Sequence, residues 1–101
     1  MTASALTTSG PGVFTITGVV DFSSVDSLLG ISKTMFIGHN HITVDCGGVT
    51  LSNSAGLALL LEWQDWAQQR GQLLHIRNLP PALADIARMS NCLQLLHVID
   101  G

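Results

Sequence analysis

Charge is scarce in this chain: Asp, Glu, Lys and Arg make up 11% of its 101 residues, well below the quarter or so usual for soluble domains. The four basic residues, Lys33, Arg70, Arg77 and Arg88, are nowhere adjacent, and the formal net charge is −3. No basic footprint for a phosphate backbone exists, which argues against a nucleic-acid ligand. Long apolar runs are missing as well. The longest covers residues 57–61, far short of the roughly 20 residues that span a bilayer. No basic segment followed by an apolar run opens the chain, so a cytoplasmic protein is expected. Cysteine is confined to Cys46 and Cys92, which fit no metal spacing. In a reducing compartment each reads as a small buried hydrophobe, with a disulfide between them the lesser alternative.

What the chain has in quantity is apolar side chains, 47% of the total. One domain of this length buries a core, and with so few charges much of its surface must be neutral or apolar, which points to a lasting protein partner. Residues 1–12, rich in Ser, Thr and Gly and ending in Gly10, Pro11 and Gly12, read as a flexible tail, leaving 13–101 as the domain. Val13 to Thr17 alternates bulky and hydroxyl side chains as a half-solvated strand does, and Gly18 is expected to break it before a short second strand through Val19 and Val20 to Phe22. Ser23 or Ser24 can cap a first helix with the stripe Val25, Leu28, Leu29, Ser32, Met35 and Phe36, ending at Gly38. Leu73 to Ile76 reads as a buried strand, Pro80 and Pro81 open a third helix that ends near Asn91, and Leu95 to Ile99 supplies a last strand. Strands alternating with helical patterns give an α/β class.

The centre of the chain is the stretch 42–66. A β-branched run (Ile42, Thr43, Val44) passes through Gly47 and Gly48 to Ser52, Asn53 and Ser54, where a helix must begin. All three of these polar side chains can accept a bond from the free N–H groups of a helix start, and Ser54 is placed at the entrance. At 100° per residue, Gly56, Leu59, Trp63 and Trp66 share one face, which reads as the sheet side. Leu57 and Leu61 point about the opposite way, to be covered by the first helix or offered to a partner. Catalysis finds no support: there is no G-x-S-x-G around Ser54 and no lysine in P-loop register after the glycines. The histidines His39, His41, His75 and His97 show no ligand spacing with carboxylate or cysteine, so neither metal nor cofactor is assigned.

The run Val44, Asp45 and Cys46 into Gly48 and Val49, then Ser52 to Leu57, resembles the strand, loop and phosphorylatable-serine turn of STAS domains, and within them the MlaB-like branch. The likeness continues through Leu61, through Ala67 to Gly71, and through Arg77, Asn78, Leu79 and Pro80 to Arg88. It implies a single STAS domain, a mixed β-sheet covered by about three helices, without the closing helix of many relatives. It also implies a non-catalytic role at the cytoplasmic face of the inner membrane. There the chain would bind the MlaF-like ATPase subunit of a phospholipid ABC transporter through Ser52, Asn53, Ser54, Ala55, Leu57 and Leu61. The alternative the resemblance carries is an anti-sigma-factor antagonist switched by a serine kinase at Ser54. Many relatives carry Asp where this chain has Asn53, so a charge that a kinase reads is absent here.

Overall fold

A computed structural model describes residues 4–99. Its strands are β1 (Ala5–Gly10), β2 (Val13–Val20), β3 (His41–Ser52), β4 (Leu73–Arg77) and β5 (Val98–Ile99), and its helices α1 (Val25–Met35), α2 (Ser54–Gln69) and α3 (Pro81–Met89), with a 3-10 turn at Leu93–Leu95. The sheet runs in the order β1-β2-β3-β4-β5. β1 and β2 are antiparallel, and every later pair is parallel. Each of the three helical crossovers advances one strand in the same direction, and right-handed connections then place all three helices on one face of the sheet. The alternation agrees: Phe14, Ile16, Ile42, Val44, Leu74 and Ile76 are buried under the helices, while their neighbours on the other face are half-buried or, at His41 and Leu73, exposed.

Two sequence expectations are corrected at the start of the chain. Most of the segment read as a tail, residues 5–10, is a strand paired with β2, and Leu6 is part of the core; residues 1–3 lie outside the described residues. Thr and Ser hydroxyls suit a half-solvated strand as well as a loop, and Pro11-Gly12 closes a two-residue hairpin turn with Gly12 at φ +71°, the conformation a type II turn requires at that position. Gly18 does not break β2 either. Its φ of +86° falls where the β2–β3 register shifts, between Gly18 and Val19, and the strand continues to Val20. Residues 13–20 are therefore one strand, and the antiparallel pair that opens the sheet is β1 with β2.

Helix α1 carries its predicted stripe, with Leu28, Ser32 and Phe36 buried. Helix α2 lies between α1 and α3 in the helical layer and also packs on β4, so the arc it buries is wider than one face. An aromatic chain ties the layers together. Phe14 of β2 meets Phe36 with ring centroids 5.0 Å apart, and Phe36 meets Trp63 edge-on at 5.6 Å. The Trp63 indole N–H donates to Ser32 Oγ at 2.7 Å, and Ser32 Oγ donates onward to the Leu29 carbonyl at 2.8 Å. Trp66, half-buried, lies against Phe36 on one side and carries the Arg70 guanidinium 4.6 Å above its ring. Among the described residues, no helix is long and apolar enough to cross a membrane.

Both cysteines are free thiols. Cys46 is sealed under the helices, and burial, helped by the neighbouring Asp45 charge, pushes its pKa to about 12. Because the thiolate is the reactive species, a thiol reagent is expected to modify only half-buried Cys92 in the native protein, at one label per chain. Both cysteines should react in denaturant. Mass spectrometry of labelled peptides reads this directly; native modification of Cys46 at the rate of Cys92 would contradict the packing.

Candidate functional site

Strands β2 and β3 run parallel and end side by side, Val20 beside Ser52, and the carboxyl ends of parallel strands are where α/β sheets present their functional groups. From Ser52 the chain turns directly into α2. Asn53 is the N-cap: with extended φ −129° and ψ −164°, it accepts the Ala55 N–H on Oδ1 at 2.9 Å, while its carbonyl receives Gly56 N–H at 2.9 Å. Ser54 is the first helical residue, exposed, and its hydroxyl makes no hydrogen bond among the described residues. The helix thus starts at Ser54 as expected, and of the three candidate caps Asn53 serves, because the residue with extended backbone is the one whose side chain can fold back over the first turn. The first turn lies hard against the strand end. A Cβ on Gly56 would sit 2.2 Å from Ser52 Oγ and 3.6 Å from the Leu83 methyls. No acidic residue occupies this turn, so the partial positive charge of the helix start is uncompensated.

The six residues assigned to a contact surface from sequence divide in the structure. Asn53 and Ser54 are exposed and Ser52 is half-buried. Ala55 and Leu57, at 2% and 6% exposure, are core residues and leave the surface, and Leu61 is half-buried against the same core. The wheel left two outcomes for Leu57 and Leu61, cover within the fold or a partner. Its two outcomes are decided in favour of cover within the fold, since α2 has a helix on each flank. The apolar side chains that do reach solvent here are others. Leu51, one residue before Ser52, is 65% exposed, and Phe22, two residues beyond the end of β2, is 75% exposed. Phe22 is held outward by a compact turn in which Asp21 Oδ1 accepts the Ser23 N–H at 3.0 Å and the Ser23 hydroxyl at 2.6 Å. These bonds, the Ser23 hydroxyl's foremost, hold the Asp21 carboxyl below its ordinary pKa. A shallow cleft of about 90 Å³ opens beside Leu51, between residues 49–52 and Pro80 and Ala82 of the α3 entrance. The strand-end rule could have found Phe22 and Leu51 in the sequence, but only with the parallel pairing of β2 and β3 known.

A second polar cluster marks the fork where β3 leaves β4. Asp45 accepts Gly47 N–H at 2.8 Å, Asn78 Nδ2 at 3.0 Å and Arg77 at 3.1 Å. Partial burial pushes its pKa up, yet the three donors together outweigh this and hold it below the usual value. Every group in the cluster has a partner, so it fastens the bulged strand and leaves nothing free to react. Among the described residues no three His, Cys, Asp or Glu side chains converge.

Residues 5–97 match the family model described as "Mlab, STAS domain". The chain belongs to this STAS family. No curated protein matches it. Among solved structures, this STAS domain is similar to the anti-sigma factor antagonist SpoIIAA in its unphosphorylated form, with TM-score 0.73 and 17% identity over 98% of this chain and 88% of that one. It is also similar to the Bacillus cell fate determinant SpoIIAA in the phosphorylated form, with TM-score 0.70 and 18% identity over 98% and 91%. At such identities the likeness concerns the fold, the mixed five-stranded sheet with three helices.

Proposed function

We propose that this STAS domain is a non-catalytic subunit that binds the ATPase of an MlaFEDB-type phospholipid ABC transporter. It would act at the cytoplasmic face of the inner membrane and serve intermembrane phospholipid transport and outer-membrane lipid asymmetry. The match to the MlaB branch across residues 5–97 carries the reading. The surface suits it: Phe22, Leu51, Asn53 and Ser54 stand exposed at a strand end and helix start, and among the described residues no three His, Cys, Asp or Glu side chains converge. Binding one ATPase conformation more tightly than another shifts the population toward it, and that difference is the only source of activation available to such a subunit.

Co-purification with the ATPase tests the reading. Leu51→Asp and Ser54→Glu alter exposed side chains and leave the core intact, and each should weaken binding tenfold or more, about 1.4 kcal/mol. Lys33→Glu, in the last turn of α1, should bind as wild type. Retention of the ATPase by both patch variants would remove the patch from the interface. A second reading has its own observation: the Ser54 hydroxyl is exposed, and unbonded among the described residues, at a helix start, where a phosphate dianion is well tolerated. Stoichiometric Ser54 phosphorylation by an anti-sigma-type serine kinase, with no ATPase binding, would favour a phospho-regulated antagonist instead.

A further inference from the structure

The helix-free face of the sheet carries a juxtaposition that the docking role does not use. His75 lies in β4 between Leu74 and Ile76, which are buried under the helices, so its ring stands on the open face. The Ile76 N–H donates to the His97 carbonyl at 2.8 Å and Ile76 pairs with Val98, which sets His97 beside His75 across the parallel ladder. Their ring centroids are 6.4 Å apart, with the planes inclined at 50°. We propose that His75 and His97 form a two-imidazole site for a borderline divalent transition ion, Cu²⁺ foremost and Zn²⁺ or Ni²⁺ more weakly.

A metal–imidazole nitrogen bond is about 2 Å long, which puts the ion about 3 Å from each ring centre. Two rings bracketing one ion then have centres about 6 Å apart or closer, so the observed separation needs only a small swing of the exposed His97 ring. Imidazole is a suitable donor for these ions, and at an open site with water in the remaining positions their order follows intrinsic affinity, with Cu²⁺ first. No free cation opposes the charge at the nearest register positions: Arg77, two residues along β4, is spent on Asp45 at 3.1 Å, and Thr43 faces His75 from β3. The two ligands stand 22 positions apart in sequence, so spacing could not reveal them. An ion held there would fasten the two-residue β5 to β4. It would thereby fix the wall of the neighbouring groove of about 440 Å³ lined by Leu79, Leu93, Leu96 and Val98.

The test is a Cu²⁺ titration of the full chain without an affinity tag, followed by calorimetry and by the nitrogen splitting in the electron paramagnetic resonance spectrum. A single saturable ion with two imidazole nitrogens is expected. Affinity should fall at least tenfold in both His75→Ala and His97→Ala and stay at the wild-type level in His39→Ala and His41→Ala. Saturating Cu²⁺ should raise Tm in the wild type and in neither variant of the pair. Circular dichroism establishes that the variants are folded, and His97→Ala changes an exposed side chain, so its result stands even if His75→Ala disturbs β4. Unchanged affinity in His75→Ala and His97→Ala, loss that follows His39 or His41 instead, or no saturation below about 1 mM (a weakness of about 4 kcal/mol of binding) would each overturn the proposal.

Discussion

Trp63→Ala is expected to destabilise the domain by about 3–5 kcal/mol, a large share of the roughly 5–15 kcal/mol that holds a domain of this kind. Trp63 is 1% exposed and is the largest fully buried side chain of the fold. Its ring meets Phe36, which in turn meets Phe14, so truncation opens a cavity between α1 and α2 and removes the helix-side end of an aromatic chain that reaches the sheet. Two milder variants separate packing from hydrogen bonding. Ser32→Ala leaves the buried indole N–H without its 2.7 Å acceptor, at a cost of about 1–3 kcal/mol. Trp63→Phe removes the N–H along with part of the ring, and Ser32 keeps its bond to the Leu29 carbonyl, so no polar group is orphaned and the loss is mainly volume. Guanidinium midpoints at constant slope should therefore rank wild type above Trp63→Phe, and Trp63→Phe above Trp63→Ala. A neutral Ser32→Ala would mean that the indole finds water and that the helix pair is looser than its packing indicates.

The parts of this fold legible in the sequence are those governed by local pattern. The α1 stripe from Leu28 to Phe36, the helix start at Ser52 to Ser54, the proline entrance of α3 and the strand at residues 73–76 all follow from periodicity and capping chemistry. The misread parts depend on what lies opposite. Residues 5–10 look like a tail because Leu6 is their one bulky apolar side chain and no alternation shows, and they become a strand because Leu6 finds the core and β2 offers a free edge. Leu57 looked available because a wheel knows only one partner surface, whereas α2 has helices on both flanks as well as the sheet beneath. The candidate site shows the same division. Asn53 and Ser54 could be named from residue type, but Phe22 and Leu51 join them only through the parallel ends of β2 and β3.

Gly12→Ala is the second large effect expected, about 2–4 kcal/mol, and it separates two reasons for a glycine. At φ +71° any L-side chain incurs about 1–2 kcal/mol of left-handed strain. In addition, an added Cβ would lie 2.6 Å from the carbonyl oxygen of His41, a backbone atom that no rotamer change can move aside. That carbonyl cannot retreat cheaply, because the next contact along the same junction is the 2.8 Å bond from Thr43 N–H to the Gly12 carbonyl, which registers the hairpin against β3. Gly71 supplies the control: its φ of +72° is nearly the same, but nothing lies within 4 Å of the added Cβ, so Gly71→Ala should lose only the conformational share, about 1–2 kcal/mol. Chemical denaturation of both variants measures the difference, which isolates the close approach of the β1–β2 turn to β3. Equal losses would show that the turn can shift away from His41. Unequal losses, with Gly12→Ala the worse by 1 kcal/mol or more, would show that the first strand is anchored through this glycine to the strand that delivers Ser52, Asn53 and Ser54 to the surface.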